Sequence, residues 1–598
     1  MQLVRRGIGG NGVLASLLLA AAGLCACGPG TPQHPPSIAV ISIDTLRADH
    51  LSCYGYWRPT PHIDAICRDG IRFEEAHATA PWTLPSHMSL FTGRFPASHG
   101  VDEEDRTLGP GIGLLTEALS RAGFRTGGFV SNGYLGEAYG FARGFDEYAL
   151  VAYRNHARDP AEIVRGDAVV DRALGWLSRQ GSDRPVFLFV HMMDPHYPYR
   201  APSPYAGRYS AGYSGAVDGS TASVVANLRR RMPRADLEHL IDLYEEEIAW
   251  VDTQVGRLVD ALRKRPDGAR TVVLLTSDHG EEFKEHGSLG HGLTLYREQS
   301  HVPLILSQPT SGSSGQQVSA PVRLVDVAPT LAEIAGLDPA DPFVAGLSGV
   351  SLLRHLDLEP VDPLPVIVET SRWGPKRSAF SIGGRKAISP MTYRWWSRRG
   401  PEGGWTEPWV RGLELYDVDS DPAEMRRLPD GTQDPALVRL LAWRERNWRG
   451  VHLALRLEPG WEGELVLDPA TPWADEPLLE SEQRTYPATV QEGRIALSGL
   501  PSAPVSLLLP VDPSAAGALE VRSLGGELSI FDGSRWHSVE EGGSATLDLT
   551  ALAPDAGPPA SIPEGSSAVL RVRSLAGGVP VEIDAETRDL LEELGYGR

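Results

Sequence analysis

Short apolar runs that alternate with helical patterns constrain the fold of this chain most strongly. Residues 37–43 (SIAVISI), 186–190 (VFLFV) and 271–275 (TVVLL) are apolar stretches, largely β-branched or aromatic, that are typical of buried strands. Residues 237–262 carry apolar side chains at steps of three or four, which is the pattern of an amphipathic helix. Strands that alternate with helices predict an α/β fold, with a mostly parallel sheet covered on both faces.

Other segments extend this pattern along the chain. A Gly-, Ser- and Tyr-rich stretch at residues 201–223 is typical of a long surface loop. The remaining predicted elements are strands at residues 127–130, 302–306 and 365–368, and helices at 63–70, 113–123 and 161–179.

Acidic and imidazole side chains follow several of the predicted strands. Asp44 follows the run 37–43, His191 follows 186–190, and Asp278 and His279 come soon after 271–275. In an open α/β sheet, ligands bind at the carboxyl ends of the strands. An aspartate after a strand is often only a turn residue, but the joint placement of these side chains predicts a shared site.

A short helix is predicted at residues 84–92, with Pro85 in its first turn and Gly93 at its end. Thr83 then lies at the helix N-terminus, where free N–H groups and the helix dipole favour an anion. An N-cap is the ordinary role of such a threonine. The strand-end residues make it a candidate nucleophile as well.

The carboxylates, the imidazole and the threonine oxygen together suit a metal ion. Asp44, Asp278, His279 and Thr83 would form a mixed oxygen and nitrogen shell for one divalent ion, which we expect to be Ca, Mn or Zn. Such an ion would lower the pKa of the Thr83 hydroxyl.

The net charge excludes one class of partner, and the N-terminus indicates where the protein is located. The net charge of −21 argues against a nucleic-acid partner. Residues 13–24 form an apolar run after two arginines, too short for a comfortable membrane span. The run ends in LCACG, which resembles a bacterial lipobox with Cys27 as the lipidated residue. Ordinary signal cleavage nearby and an uncleaved anchor are the alternatives.

These features predict an exported protein, in the bacterial periplasm or on the cell surface, that is held to the membrane by a lipid anchor. The predicted division of the chain is residues 1–27 as signal peptide, 28–36 as tether, 37–450 as catalytic domain, 451–582 as β-rich module and 583–598 as terminal helix. The β-rich module consists of short alternating runs without helical periods, typical of a β-sandwich. Export would permit a disulfide between Cys53 and Cys67, which their spacing alone cannot show.

Four stretches resemble sulfatase-type members of the alkaline phosphatase superfamily. They are residues 43–55 (IDTLRADHLSCYG), 83–100, 275–281 (LTSDHGE) and 302–304 (VPL). The resemblance extends over residues 38–429. It implies an alkaline phosphatase-like sandwich with a mostly parallel central sheet and a smaller C-terminal subdomain. It also implies that the β-rich module is an insertion before a last helix that packs back on the catalytic domain.

The chain departs from the sulfatase signature at the nucleophile. That signature is Cys or Ser, any residue, Pro, any residue, Arg, and its first residue becomes formylglycine. Here the run is Thr83-Leu84-Pro85-Ser86-His87. Threonine cannot form that aldehyde, because oxidation of its secondary alcohol would give a ketone. The lysine and histidine that sulfatases carry after the next strand are also missing, since residues 130–133 are VSNG.

The chain is therefore more similar to threonine-using relatives, such as lipoteichoic acid synthases, phosphoethanolamine transferases and nucleotide phosphodiesterases. This similarity implies a hydrolase or transferase that cleaves a phosphate-type ester through a covalent phospho-threonine. The substrate would be a small-molecule, glycan or lipid ester. A sulfuric ester hydrolase that works without formylglycine and a non-catalytic, surface-anchored binding protein are the alternatives.

The resemblance also implies roles for individual residues. Thr83 is the nucleophile, and His196 and His291 hold non-bridging oxygens or protonate the leaving group. Glu281 and Glu282 are expected to be solvated or to support the ligands. The substrate-binding residues are predicted to be Asn132, His191 and His87, with His191 and Asp194 as a less favoured second metal site. Residues 201–223 and 372–396 are candidates for determining specificity.

Overall fold

The computed structural model describes residues 34–151, 165–307 except 229, 314–356, 362–388 except 371 and 373–376, 414–429, and parts of 434–580, mainly strands. The predicted signal peptide with Cys27, most of the tether, residues 389–396 and the terminal helix at 583–598 lie outside the described residues. Among the described helices, none combines the length and the apolar character that crossing a membrane requires.

Helices and strands alternate over most of the first 340 residues. The α-helices are α1 Pro61–Asp69, α2 Thr83–Thr92, α3 Pro96–His99, α4 Leu115–Arg121, α5 Gly166–Leu177, α6 Thr221–Asn227, α7 Arg234–Arg263, α8 Arg297–Ser300, α9 Val327–Ile334 and α10 Pro342–Ala345. Short 3-10 turns lie at Ala48–His50, Ser52–Tyr54, Gly133–Leu135, Glu137–Tyr139, Gly268–Arg270, Leu324–Asp326 and Leu352–Leu356.

The strands of this first part are β1 Ile38–Ile43, β2 Ile71–His77, β3 Arg106–Leu108, β4 Arg125–Val130, β5 Glu147–Leu150, β6 Val186–Met192, β7 Val272–Thr276, β8 Glu282–Phe283, β9 Leu289–Gly290, β10 His301–Ser307, β11 Gln316–Val318 and β12 Val322–Arg323. Nine of them form one sheet in the order β11-β2-β10-β7-β1-β6-β4-β5, with β12 paired to β2. The strands β7, β1, β6, β4 and β5 are parallel neighbours, and β10 runs antiparallel between β7 and β2. The predicted α/β class with a mostly parallel sheet is therefore confirmed.

Helices cover both faces of this sheet. Strand β1 explains why, since Ile38 and Val40 pack into one hydrophobic cluster while Ala39 and Ile41 pack into the other. Side chains alternate between the two faces of a strand, so a run that is apolar at every position needs cover on both sides. Helices α2, α4 and α9 supply one layer, and α1, α5 and α7 supply the other.

Strands β2 and β6 are two examples of where the main sheet differs from the sequence prediction. Strand β2 was not predicted, because Arg72, Glu74 and Glu75 interrupt its apolar residues, yet it is the neighbour of β10. Strand β6 continues past the predicted end and includes His191, because Ser42 of β1 still pairs with that residue. The functional residue therefore lies inside the strand.

The rest of the chain forms separate, mainly antiparallel sheets. They comprise β13 Val366–Thr370, β14 Arg377–Ile382, β15 Arg385–Ile388 and β16 Glu414–Asp417 in one sheet, followed by β17 Gly450–Arg456, β18 Leu465–Pro469, β19 Leu478–Ser481, β20 Thr485–Pro487, β21 Thr489–Gln491, β22 Arg494–Leu497, β23 Val505–Leu509, β24 Ala518–Ser523, β25 Leu528–Phe531, β26 Trp536–Val539, β27 Ser544–Asp548, β28 Ser567–Arg573 and β29 Gly578–Pro580. Strands β17 to β28 are divided between a seven-stranded and a five-stranded sheet. Strand β29 returns to the first part of the chain and pairs with β3.

One covalent link lies close to the start of the sheet. Cys53 and Cys67 form a disulfide, which answers the question that their spacing left open. The bond joins the 3-10 turn Ser52–Tyr54 to helix α1.

Candidate active site

Four neighbouring parallel strands deliver the polar residues of the site. Asp44 directly follows β1, Asp278 lies two residues after β7, His191 is the last residue but one of β6, and Asn132 lies two residues after β4. All four are fully buried. Because the carboxyl ends of β7, β1, β6 and β4 adjoin at one edge, residues far apart in sequence meet there.

The Asp44 carboxylate is the centre of these contacts. Its Oδ2 accepts a hydrogen bond from Asn132 Nδ2 at 2.9 Å and lies 3.3 Å from His191 Nε2. Its Oδ1 lies 3.6 Å from His279 Nε2. The same His279 nitrogen is 3.3 Å from Asp278 Oδ2, so one imidazole faces both carboxylates.

Thr83 reaches this cluster from the start of a helix. It is the first residue of α2, after Trp82 in extended conformation, and it is buried. Its Oγ1 lies 3.3 Å from Asn132 Nδ2 and 3.4 Å from His279 Nε2. The helix start therefore places the hydroxyl beside the predicted metal ligands.

Two further histidines line the same site. The His291 ring centroid is 4.4 Å from that of His279 and 4.9 Å from that of His196. His291 Nδ1 lies 3.0 Å from Glu281 Oε1, within hydrogen-bond distance. Glu281 and Glu282 are both buried, so the first of the two alternatives predicted for them, exposure to solvent, is wrong, and Glu281 contacts His291 as a supporting residue would.

His87 has a different environment from the other histidines. Its Nε2 lies 2.9 Å from Ser42 Oγ, and its Nδ1 lies 3.0 Å from the Thr83 carbonyl oxygen and 3.5 Å from Asp278 Oδ2. These contacts hold the start of helix α2 against strand β1. The predicted role of His87 in substrate binding stays a prediction.

The two carboxylates have opposite electrostatic behaviour. Burial acts to raise the pKa of Asp44, but the hydrogen bond to His191 and the charges of His196, His191 and His279 hold that pKa well below its usual range. Burial and the charge of Asp44 raise the pKa of Asp278 well above its usual range. Burial lowers the pKa of His279 to about 4. Two buried carboxylates beside the His279 imidazole therefore form a site that can accept a cation.

The donor atoms fit a single divalent ion. Asp44 Oδ1 and Asp278 Oδ2 are buried atoms that lack a hydrogen-bond partner among the described residues. Ligand atoms of Asp44, Asp278 and His279 lie within 4.8 Å of one another. Two carboxylates and an imidazole suit Ca, Mn or Zn in different degrees, so the choice among these ions stays a prediction.

A second group, formed by His87, His191 and Asp278, meets the same distance criterion. Both ring nitrogens of His87 already have hydrogen-bond partners, which makes this group the poorer candidate. Asp194, which was predicted to join His191 in a second metal site, instead accepts a hydrogen bond from Gly166 N at 2.7 Å. The second ion stays a prediction that these contacts do not favour.

Comparisons with known proteins agree with this architecture. The family model described as Sulfatase matches residues 36–337. Arylsulfatase K of Gallus gallus is 25% identical over 469 residues, which cover 69% of this chain and 83% of that protein. The Delta 4,5-hexuronate-2-O-sulfatase of Bacteroides thetaiotaomicron is 24% identical over 458 residues, which cover 70% of this chain and 89% of that protein.

Among solved structures, the phosphonate monoester hydrolase of Agrobacterium radiobacter has the same fold. It aligns with a TM-score of 0.53 and 21% identity, over 69% of this chain and 94% of its own. The fold and the site thus define a hydrolase of sulfuric or phosphoric esters, which confirms the predicted enzyme class. Since the family model matches half of its residues, the chain belongs to the sulfatase family of the alkaline phosphatase superfamily.

Proposed function

We propose that this protein cleaves a phosphate-type ester with Thr83 as its nucleophile. The observation that supports this most directly is the position of Thr83 Oγ1, 3.4 Å from His279 Nε2 and 3.3 Å from Asn132 Nδ2 at the start of α2. A sulfatase places formylglycine at this position. Because threonine cannot be converted to that aldehyde, its own hydroxyl is left to attack the ester.

The residues that would hold the divalent ion are Asp44, Asp278, His279 and Thr83. When bound, the ion supplies positive charge that lowers the pKa of the Thr83 hydroxyl and attracts the oxygens of the ester. Asn132 Nδ2 already donates to Asp44 and lies within reach of Thr83, so it is placed to donate to a non-bridging oxygen beside the nucleophile.

The reaction proceeds in two displacements at phosphorus. In the first, Thr83 Oγ1 gives its proton to His196 or His291 and forms a bond to phosphorus while the bond to the leaving alcohol breaks, and that imidazolium protonates the departing oxygen. In the second, water or an acceptor alcohol attacks phosphorus and gives its proton to the same imidazole while the bond to Thr83 breaks, and the imidazolium then returns the proton to Thr83 Oγ1. Glu281 holds His291 in position for both transfers through the contact at Nδ1.

A sulfuric ester is the second candidate substrate. Both curated relatives described above are named as sulfatases, whereas the solved structure belongs to a phosphonate monoester hydrolase. The absence of a formylglycine precursor at position 83 is the reason that we favour phosphorus. We propose a small-molecule, glycan or lipid ester as the substrate.

The test is a panel of substrates with defined chemistry. The purified protein would be supplied with Mn, Zn or Ca and offered an aryl phosphate, a phosphate diester, a phosphonate monoester and an aryl sulfate. We expect turnover of at least one phosphorus ester and a phosphorylated Thr83 peptide after an acid quench. Turnover of the sulfate alone would refute the phosphoester proposal, and metal binding without any turnover would favour a non-catalytic binding protein.

Replacement of the nucleophile is the sharpest prediction of this proposal. Thr83→Ala should lower kcat by about 10³-fold or more, because the covalent route is lost, while Thr83→Ser should retain part of the activity. Thr92→Ala is the matched control, since Thr92 is a buried threonine of the same helix whose hydroxyl donates to the Met88 carbonyl and accepts from the Arg94 N–H. Equal activity in Thr83→Ala and the wild type would remove Thr83 from the mechanism.

We also propose that the protein is exported and carries a lipid on Cys27. The supporting observation is the LCACG run after the apolar segment. In a bacterial host, Cys27→Ser should move the protein from the membrane fraction to the soluble exported fraction, whereas Cys25→Ser should leave it at the membrane. Unchanged membrane association of Cys27→Ser would contradict the anchor.

A further inference from the structure

Arg372 lies beside the candidate active site, although it comes from the region of the small antiparallel sheet. It follows strand β13 closely and is only 3% exposed. Its guanidinium carbon is 4.9 Å from the ring centroid of Trp82 and 5.6 Å from that of Tyr134. Trp82 directly precedes the nucleophile, and the Tyr134 N–H donates to Asn132 Oδ1 at 3.0 Å.

A third contact places Arg372 next to His291. A Cβ atom added to Gly292 would lie 3.0 Å from Arg372 Cδ and 3.3 Å from its Nη1. The Thr370 hydroxyl donates to the Gly292 carbonyl and accepts from the Arg372 N–H, at 3.2 Å each. The guanidinium therefore adjoins residues that lie one or two positions along the chain from Thr83, Asn132 and His291, the three residues that we assign to the ester.

The positions at which sulfatases carry cations hold other residues here. His87 stands at the position of the signature arginine, and its two ring nitrogens have the Ser42 hydroxyl and the Thr83 carbonyl as hydrogen-bond partners. Asn132 lies in the segment that replaces the usual lysine and histidine. Arg47, which follows β1, pairs with Asp49 and Glu285 and donates to the Glu281 carbonyl, so its guanidinium N–H groups are directed to those three residues.

The surroundings of Arg372 hold its charge in a fixed place. Its Nε lies 3.6 Å from Glu104 Oε1, which also accepts a hydrogen bond from the Tyr134 hydroxyl at 2.8 Å. Burial lowers the pKa of His196 to about 4, and the positive charge of Arg372 is a further cause of that decrease. A guanidinium offers a planar set of N–H donors that can contact two oxygens of a tetrahedral anion at once.

We infer that Arg372 binds the non-bridging oxygens of the ester and supplies the positive charge that the altered signature no longer provides. This inference rests on the proposed function, because it requires an anionic ester at Thr83. It assigns a substrate-binding role to a residue outside the four stretches that carry the family resemblance, at the start of the segment 372–396 that the sequence offered for specificity.

The experiment measures anion binding as well as turnover. Orthophosphate and sulfate would be titrated by calorimetry into the Mn-loaded wild type, Arg372→Met and Arg372→Lys, followed by kcat and KM for the best ester. We expect Arg372→Met to weaken orthophosphate binding by about 10- to 100-fold, the range for a hydrogen bond to a charged group. Arg372→Lys should weaken it less, because it keeps the charge but loses the two-oxygen contact.

Arg323→Met is the matched control. Arg323 is also buried, lies 5.7 Å from the Phe95 ring centroid and pairs with Asp326 at 2.6 Å, but it does not adjoin the site residues. We expect the folded fraction of this variant to bind orthophosphate as the wild type does. If Arg372→Met does not fold, Arg372→Lys decides the question through its reduced affinity.

Orthophosphate and sulfate affinities of both Arg372 variants equal to the wild type would overturn the inference, and so would a wild type that binds neither anion. The two proposals fail separately. A wild type that hydrolyses phosphorus esters, with no dependence on Arg372, overturns the inference alone. A wild type that hydrolyses only sulfate, with sulfate binding that depends on Arg372, overturns the phosphoester proposal alone.

Discussion

Asp44 contacts more of the candidate site than any other carboxylate described above. Asn132 donates to it, and His191 and His279 face its two oxygens. Its Oδ1 is buried and lacks a hydrogen-bond partner among the described residues. A buried anion in this state requires compensation, and a bound cation provides it most directly.

Asp44→Asn should therefore remove the metal. The asparagine side chain has no negative charge, and its N–H group would face the Asn132 donor or the ion. We therefore expect the metal content to fall below half and turnover to drop by about 100-fold or more. Elemental analysis of the dialysed protein measures the first effect. Asp252→Asn is the control, because Asp252 is equally buried but accepts only the N–H groups of His62 and Ile63. Full metal content in Asp44→Asn would contradict the ligand assignment.

His286 makes a separate prediction about pH. Burial opposes its protonation, but the hydrogen bond to Glu298 at 2.7 Å outweighs burial and raises the pKa to about 9. Since the unfolded-state pKa is about 6.5, the charged pair stabilises the fold fully below that pH, and the contribution is lost as pH rises through about 9.

Urea unfolding between pH 6.5 and 9.5 should show this loss as a decrease on the order of 2 kcal/mol in the free energy of unfolding. His286→Gln should have a flatter profile over the same range, because it cannot titrate. Parallel profiles for the two proteins would show that the pair does not contribute.

The sequence could predict most of the residues in the site, for a physical reason. Asp44, Asp278 and His279 follow apolar runs, and parallel strands bring the ends of such runs together. The sequence left open whether Glu281 supports the site or is solvated, because its contact with His291 depends on the path of the loop between them. Arg372 follows a strand of an antiparallel sheet and belongs to no recognisable sequence motif. Its position beside Trp82 is therefore visible only in the folded chain.

At the scale of elements, helix α7 has a second function besides covering the sheet. Its apolar stripe was predicted and is buried, including Leu240, Val251 and Leu258. Glu246 is buried as well, which the helical period did not indicate, because the loop at residues 201–220 covers that side of the helix. Its carboxylate accepts hydrogen bonds from the N–H groups of residues 207, 209 and 210.

Glu246→Ala should loosen this loop. Three backbone N–H groups lose their acceptor, and we expect local opening to become easier by about 1–3 kcal/mol. Amide exchange of the peptides around residues 205–212 measures the change. Glu238→Ala, on the exposed side of the same helix, removes only an ion pair with Arg234 and should leave the exchange of the loop unchanged. Slow exchange in Glu246→Ala would show that other contacts hold the loop.

At the scale of the whole molecule, a strand near the end of the chain pairs with a strand near its beginning. Strand β29 pairs with β3, with Val579 opposite Thr107. The end of the β-rich part is therefore joined to the segment that directly follows Glu104. The family resemblance implied a return through the terminal helix at 583–598, which lies outside the described residues and stays a prediction, whereas the return through β29 was not predicted. A three-residue strand has too little periodicity to be recognised in advance.

Val579→Pro should break this connection. Proline has no backbone N–H and fits poorly in a ladder, so amide exchange at residues 103–109 should accelerate while the exchange of β1 and β6 stays slow. Val579→Ala keeps the backbone and should behave as the wild type. If Val579→Pro left the exchange at residues 103–109 unchanged, the pairing would be irrelevant to that segment in solution.

The position of β1 has a consequence for when the site can form. Ile38 pairs with Phe187 on one side and with Val272 on the other. The central strand can therefore pair only after much later parts of the chain have been synthesised. A growing chain contains Asp44 and Thr83 long before it contains Asp278 and His279, and non-local pairing of this kind is slow. If the chain is exported and binds a divalent ion as we propose, the ion would enter only after folding is complete, so the ions available where folding finishes would determine which metal the protein receives.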